Sequence, residues 1–412
     1  MHKTLLFINT GSGKNLGDRA MQLNMASQLK NLGAEKIWLP ADMPASFRQE
    51  LAAHSYPLFY HCLGRFNLDR WPRILSAFPV MLSFLACWLL LYIRKYRQRP
   101  LPFSFMEASM INALADTDCA VFNGGGYLTD KGRFECRCCL VTGWFALMLG
   151  KKVIMTGQGI GPADSYLTRF LLKRVCRQAD SIMVRDPQES QQLLQTLGVA
   201  PQKIIAAGDD AFTLPAIPLQ AAAPLSDKVL AVHFRISAFT ENVNAAITTL
   251  QQVLLTKHQQ GWHIRFFIFS EHSALEQQVI GQLTSAGLSR MDIIQTPDPR
   301  QLKAAIAECT LAIGIAYHFQ VFALSCGVPV LGLYGGQYYR QKIQGLFQWF
   351  DKTAWTIPFE HFTTADALLL LDNMALNRDT LHHQLLKRSR ELSAAHQQYL
   401  QQAFSFLTHT SA

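Results

Sequence analysis

The chain has 412 residues, too many for one ordinary core and enough for two domains. Hydrophobic residues make up 49%, ample for buried sheets, and charged residues only 16%, low for a fully solvated protein. The net charge of +9 suits anionic partners, but no zinc-finger spacing, aromatic RNA motif or basic helix pattern accompanies it, so nucleic acid is set aside.

Met1 to Asn9 is a short apolar run with no cleavage-site pattern and reads as a first strand, Thr4 to Asn9. Asp18 to Asn31 then carries helical spacing through Ala20, Leu23, Ala26 and Leu29. Ile74 to Ile93 holds 20 residues without a charge, flanked by Arg73 and by Arg94, Lys95, Arg97 and Arg99. Its length suffices to cross a bilayer. A single crossing, however, would put strands of one sheet on opposite sides. The basic flank instead fits a helix lying in a membrane surface through residues 74–99, and burial under the first domain is the other reading.

Further strands are expected at Ala120 to Phe122, Val153 to Thr156, Ser181 to Val184 and Ile204 to Ala206. Each is followed by glycine or a charged residue, where ligands sit in open parallel sheets. Residues 215–228 read as a Pro- and Ala-rich linker. A second cycle follows: strands at Val229 to Phe234, Ile264 to Phe269, Leu311 to Ile315 and Val328 to Leu333, with a helical tail from Leu381 to Phe404. The expectation is an α/β fold of two Rossmann-like parallel-sheet domains, 1–215 and 225–412, facing across a cleft.

Nine cysteines, an odd number, suit a reducing compartment. The spacing of Cys136, Cys138 and Cys139 does not match paired metal thiols, so no metal is expected.

Several motifs admit both a chemical and a structural reading. The segment Gly11 to Asp18 is neither a P-loop nor a dinucleotide fingerprint; Asp18 either caps the helix or presents its carboxylate to a ligand. Gly124-Gly125-Gly126 lets backbone N–H groups approach a ligand, and a helix following it would favour an anion. Gly157-Gln158-Gly159 either does the same or makes a tight turn. Arg185 offers a bidentate anion contact or pairs with Asp186. His318, at a strand-to-helix junction, is placed for proton transfer unless it is a core histidine. Arg235 and Lys342, the latter after the Gly335 to Tyr339 loop, add positive charge.

Taken in order, these segments resemble the polysaccharide pyruvyl transferase family. The series is Asn15-Leu16-Gly17-Asp18, Gly124 to Asp130, Gly157 to Pro162, Val184-Arg185-Asp186, Gly208 to Phe212, His318 to Ala323 with Gly327 to Val330, and Tyr339 to Gly345. The resemblance implies a fold similar to the GT-B glycosyltransferases and a cytoplasmic enzyme, peripheral at the inner membrane face if the apolar insertion docks. It also implies phosphoenolpyruvate as donor substrate with no cofactor, and a cell-surface polysaccharide or its lipid-linked precursor as acceptor. It places Asp18, Arg185 and His318 in catalysis; the reading of the strand-end loops and basic residues adds Asn15, Gly17, Gly124, Gly125, Gly126, Gln158, Gly159, Arg235 and Lys342 as substrate-binding positions. The family's usual arginine two residues before the histidine is Ala316 here; Arg235 or Lys342 would have to compensate. The competing readings are a nucleotide-sugar-dependent glycosyltransferase and a catalytically degenerate, membrane-associated scaffold of glycan assembly.

Overall fold

The computed structural model describes residues 3–9, 15–64, 73–218, 228–235, 243–270, 274–288 and 291–408. The Gly11 to Lys14 part of the first loop and most of the linker lie outside the described residues. The chain divides into two compact units: Met1–Gly13, Met25–Ala207 and Gln397–Ala412 form the first, and Lys14–Asn24 with Gly208–His396 form the second.

Among its described residues the first unit is built on eight strands: β1 (Thr4–Ile8), β2 (Lys36–Pro40), β3 (His54–Tyr56), β4 (Cys119–Phe122), β5 (Gly125–Leu128), β6 (Lys152–Ile160), β7 (Ser181–Val184) and β8 (Ile204–Ala206). Their order is β3-β2-β1-β4-β6-β7-β8, with β5 pairing β6, and all pairs are parallel. Every residue of β1 and β4 is buried, as helices on both faces of a parallel sheet require.

Among its described residues the second unit has six strands: β9 (Val229–His233), β10 (His263–Phe267), β11 (Met291–Ile294), β12 (Leu311–Gly314), β13 (Val330–Tyr334) and β14 (Thr356–Pro358). They run parallel in the order β11-β10-β9-β12-β13-β14. Counted from β9 this is the 3-2-1-4-5-6 order of the dinucleotide-binding fold. In such sheets the direction of winding reverses once, here between β9 and β12, and in the first unit between β1 and β4. Ligand sites form beyond the carboxyl ends of those strands.

Two segments correct the sequence reading. β6 does not stop at Thr156. It continues to Ile160 past a shift in register between Met155 and Gln158, with Gly157 at φ +47°, a backbone only glycine adopts without strain. Gly125 and Gly126 form part of β5, so no helix starts directly after the triple glycine; a 3-10 turn, Asp130–Gly132, comes first and the next α-helix begins at Arg133.

Helix Arg73–Arg97 carries the apolar insertion. It packs on helices Phe59–Gly64 and Met106–Ala115, and Ser83 bonds Glu107 in the buried seam at 3.2 Å. The tail helix Arg378–Ala403 ends in the first unit. There Tyr399 donates to the Met155 carbonyl at 2.7 Å, and Phe404 and Leu407 are buried.

Candidate active site

In the first unit the groups beyond β1, β4, β6 and β7 interlock. Asn9 Nδ2 donates to Asn123 Oδ1 at 3.0 Å and to the Gly124 carbonyl at 3.2 Å. Gln158 Nε2 donates to the carbonyls of Phe122 and Asn123 at 3.0 and 2.9 Å and to the Tyr127 hydroxyl at 3.2 Å. Gln158 is wholly buried, and its Oε1 has no hydrogen-bond partner among the described residues. A buried acceptor left this way calls for a donor from ligand or water. Arg185 follows β7 directly, with its N–H on the Gln158 carbonyl at 3.0 Å. Its guanidinium lies on Gly159: a Cβ there would stand 2.7 Å from Arg185 Nε. Gly159 is therefore the space that Arg185 occupies. Asp186 turns the other way, accepting from the Ser190 N–H at 2.8 Å.

Asp130, at the end of the glycine motif, is a clasp. Burial works to raise its carboxyl, but hydrogen bonds from Ser165, Thr168 and Asp164 outweigh it and bring the pKa to about 2.

In the second unit Asn15 forms a bridge to Ser270, and the Leu16 N–H donates to the Phe269 carbonyl at 3.0 Å. Asn15, not Asp18, caps helix Leu16–Asn31: its Oδ1 accepts from the Gly17 N–H at 2.9 Å. The capping alternative for Asp18 is thereby corrected. Asp18 is the third residue of the helix, in the first turn, where the helix dipole favours a carboxylate.

His318 is the second residue of helix Tyr317–Ser325, just past β12. Its ring lies on Gly17, where a Cβ would fall 1.9 Å from Nδ1. Its Nε2 is 3.9 Å from Asp209 Oδ1, and that carboxylate is fully buried and held by the Ala211 N–H at 2.8 Å. The neighbouring Asp210 binds His396 Nε2 at 3.0 Å, both fully buried. Ala316 is the N-cap of the His318 helix and has no side chain to cap with. The positive end of that helix favours an anion.

Two groups escaped the sequence reading. His233 is the last residue of β9 and fully buried, with its ring edge-on to Phe269 at 5.3 Å. Its Nε2 lies 3.9 Å from Glu276 Oε1, beyond hydrogen-bonding distance. Burial first, then the charge of Arg235, pushes the His233 pKa down to about 3. Burial raises Glu276, partly offset by hydrogen bonds and by Arg235. A neutral imidazole, a carboxyl raised by burial and a guanidinium thus gather past β9. His233 ends an apolar run and reads as core; only the β9–β12 reversal in strand order marks it.

Lys342 does not follow a loop. Residues 336–339 belong to helix Gly336–Gln348, and the Lys342 ammonium lies 4.1 Å from the centre of the Tyr338 ring. Cys136, Cys138 and Cys139 are buried in helix Arg133–Met148, and burial pushes the Cys136 thiol up to about 12. Of the three residues expected in catalysis, Asp18 and His318 belong to the second unit and Arg185 to the first.

A sequence model described as polysaccharide pyruvyl transferase matches residues 15–336. No curated protein sequence is significantly similar to the chain. Solved structures similar in fold include HepE of Anabaena in complex with UDP-glucose, at 13% identity and TM-score 0.57, covering 98% of this chain and 99% of that one. A glycosyltransferase of Rickettsia africae gives 9% identity, TM-score 0.58 and 99% coverage of both chains. MurG of Acinetobacter baumannii gives 13% and 0.55, covering 98% and 99%. The chain thus has the two-unit α/β architecture of the GT-B glycosyltransferases.

Proposed function

The chain belongs to the polysaccharide pyruvyl transferase family, and from that premise we propose that it transfers a pyruvyl group from phosphoenolpyruvate to a glycan, forming a ketal and releasing phosphate. The acceptor in this reading is a polysaccharide or its lipid-linked precursor at the inner face of the cytoplasmic membrane. No cofactor takes part. The family match over residues 15–336 is the observation that carries the reading.

The chemistry assigns roles to named groups. Arg185, a buried guanidinium seated on Gly159, holds an anionic group of the donor. Arg235 supplies the second cation in place of the arginine that Ala316 lacks, and Lys342 is a further candidate. His318 as imidazolium gives its proton to the donor's methylene carbon, which becomes a methyl group. The adjacent carbon turns electrophilic, and a sugar hydroxyl adds to it, losing its proton to Asp18. A second hydroxyl then adds as the C–O bond to phosphate breaks, closing the ketal and returning a proton. Asp209, 3.9 Å from His318 Nε2, supports the charged imidazole.

Incubation of the purified protein with labelled phosphoenolpyruvate and lipid-linked glycan fractions tests the reading. Label in the glycan with equimolar phosphate release supports it. A second reading, transfer from a nucleotide sugar, draws on the UDP-glucose complex of HepE, a likeness of fold only. A thermal shift with nucleotide sugars and none with phosphoenolpyruvate would replace the first reading by the second.

A further inference from the structure

Helix Arg73–Arg97 is apolar on two faces. Its inner stripe, Ser83, Cys87, Leu90 and Leu91, is buried in the first unit. Its outer stripe includes Phe78, Met81, Leu85, Trp88, Tyr92 and Tyr96, each between 47% and 71% exposed. An ordinary surface helix has a polar outer face, and a helix apolar all round is normally covered. Only 28% of the most apolar stretch within Ala77–Arg97 is buried. Half-exposed side chains of this size leave on the order of 100 Å² each, so the stripe exceeds the few hundred Å² usual for a soluble monomer.

The face has a graded chemistry. No acidic residue occurs between Arg73 and Arg97, and the apolar run ends in Arg94, Lys95, Arg97 and Arg99. Just before them the rings of Trp88, Tyr92 and Tyr96 follow one another, with centroids 6.4 and 4.4 Å apart. Aromatic rings beside a cationic rim are the arrangement found at headgroup depth. The apolar surface continues from Phe84 through Trp144 to Phe170, at 6.0 and 6.3 Å, and Phe170 is itself exposed. There too a cation marks the edge, with the Arg174 guanidinium 5.5 Å from the Trp144 ring centre.

Crossing the bilayer is ruled out by the sheet. β1 and β4 lie on either side of this helix in sequence, yet they are adjacent and parallel, with Leu5 opposite Cys119. One crossing would separate hydrogen-bonded neighbours.

We propose that this face seats on an anionic phospholipid bilayer, with the helix axis in the membrane plane and the basic rim on lipid phosphates. The charge complementarity and the one-sided exposure of the helix commit the occupant to a lipid surface. The inference stands apart from the donor chemistry. It supplies a reason for the enzyme to meet acceptors carried on lipid.

Flotation of the full chain with phosphatidylcholine vesicles, with and without phosphatidylglycerol, tests it. Co-flotation is expected with phosphatidylglycerol, and it weakens at high salt. Arg97→Gln and Arg99→Gln each lower partition about fivefold. The double variant Leu85→Glu/Trp88→Glu lowers it more than tenfold while the Tm and phosphate release with a soluble acceptor are kept, because both positions face outward. Equal flotation on neutral vesicles, or retention in membranes after alkaline carbonate extraction, overturns the proposal. So does a solution dimer that the double variant dissociates, with no vesicle binding by the parent.

Discussion

At the residue scale, Gly17 and Gly159 are spaces before they are residues. Each is occupied by the side chain on which the proposed chemistry rests. Gly17→Ala puts a methyl group where the His318 ring lies, so the ring must move. A displacement of about 1 Å at a reacting group costs on the order of 10²-fold. The expected outcome is such a loss in kcat/KM with little change in Tm. His318→Ala and Arg185→Ala should each lose roughly 10²–10⁴-fold in turnover while the fold persists. If both serve one transition state, the double variant loses less than the product of the single losses. Near-normal turnover by either single variant removes that residue from the mechanism.

His233 gives a pH prediction with a definite sign. Its pKa falls from an ordinary 6.5 to about 3 in the folded chain, so the unfolded chain binds its proton first as pH drops. The stability it contributes is complete above about 6.5 and is lost as pH falls toward 3. Each pH unit inside that window costs up to about 1.4 kcal/mol. His233→Gln should flatten this part of the stability profile, measured by urea denaturation from pH 7 to pH 4. A profile as steep as the parent's would assign the acid sensitivity elsewhere.

At the scale of elements, the sequence was most legible where strands are buried on both faces. β1, β4, β7 and β12 announce themselves as short apolar runs because helices cover them above and below. β3 and β11 went unread, since as edge strands they are exposed or half-buried and carry His54, Ser55 and Asp292 among their residues. The end of β6 was misread because a glycine bulge inside a strand has the same composition as a turn after one. The Asp130 clasp also belongs to this scale. It gathers donors from the start of helix Tyr166–Cys176, and Ser165 is that helix's N-cap. Asp130→Ala should cost about 1–2 kcal/mol in stability by equilibrium unfolding. Because the carboxyl is held near 2, the contribution is present above the ordinary carboxylate range and disappears as pH falls through about 2.

At the scale of the whole molecule, the candidate site divides into legible and illegible parts for a physical reason. Asn15, Gly17, Gln158, Arg185 and His318 stand in local patterns after strands, so the sequence points to them. Glu276 against His233, and Asp209 beside His318, are juxtapositions between residues far apart in the chain, and no local spacing records them. The tail shows the same limit. Its helical period is plain, but nothing local says that Tyr399 donates to Met155. Removing residues 397–412 should lower the Tm by several degrees, since it strips Tyr399, Leu400, Phe404 and Leu407 from the first unit's core.

Neither unit is an unbroken length of polypeptide. A gene cut at the proline-rich joint yields one product lacking its closing segment and another lacking the turn on which the His318 imidazole rests, together with Asn24, which donates to the Asp210 carbonyl at 2.6 Å. Swapping halves between relatives at that joint would therefore fail unless residues 14–24 and 397–412 travelled with the half they complete. The threading makes the two halves heritable only as a pair.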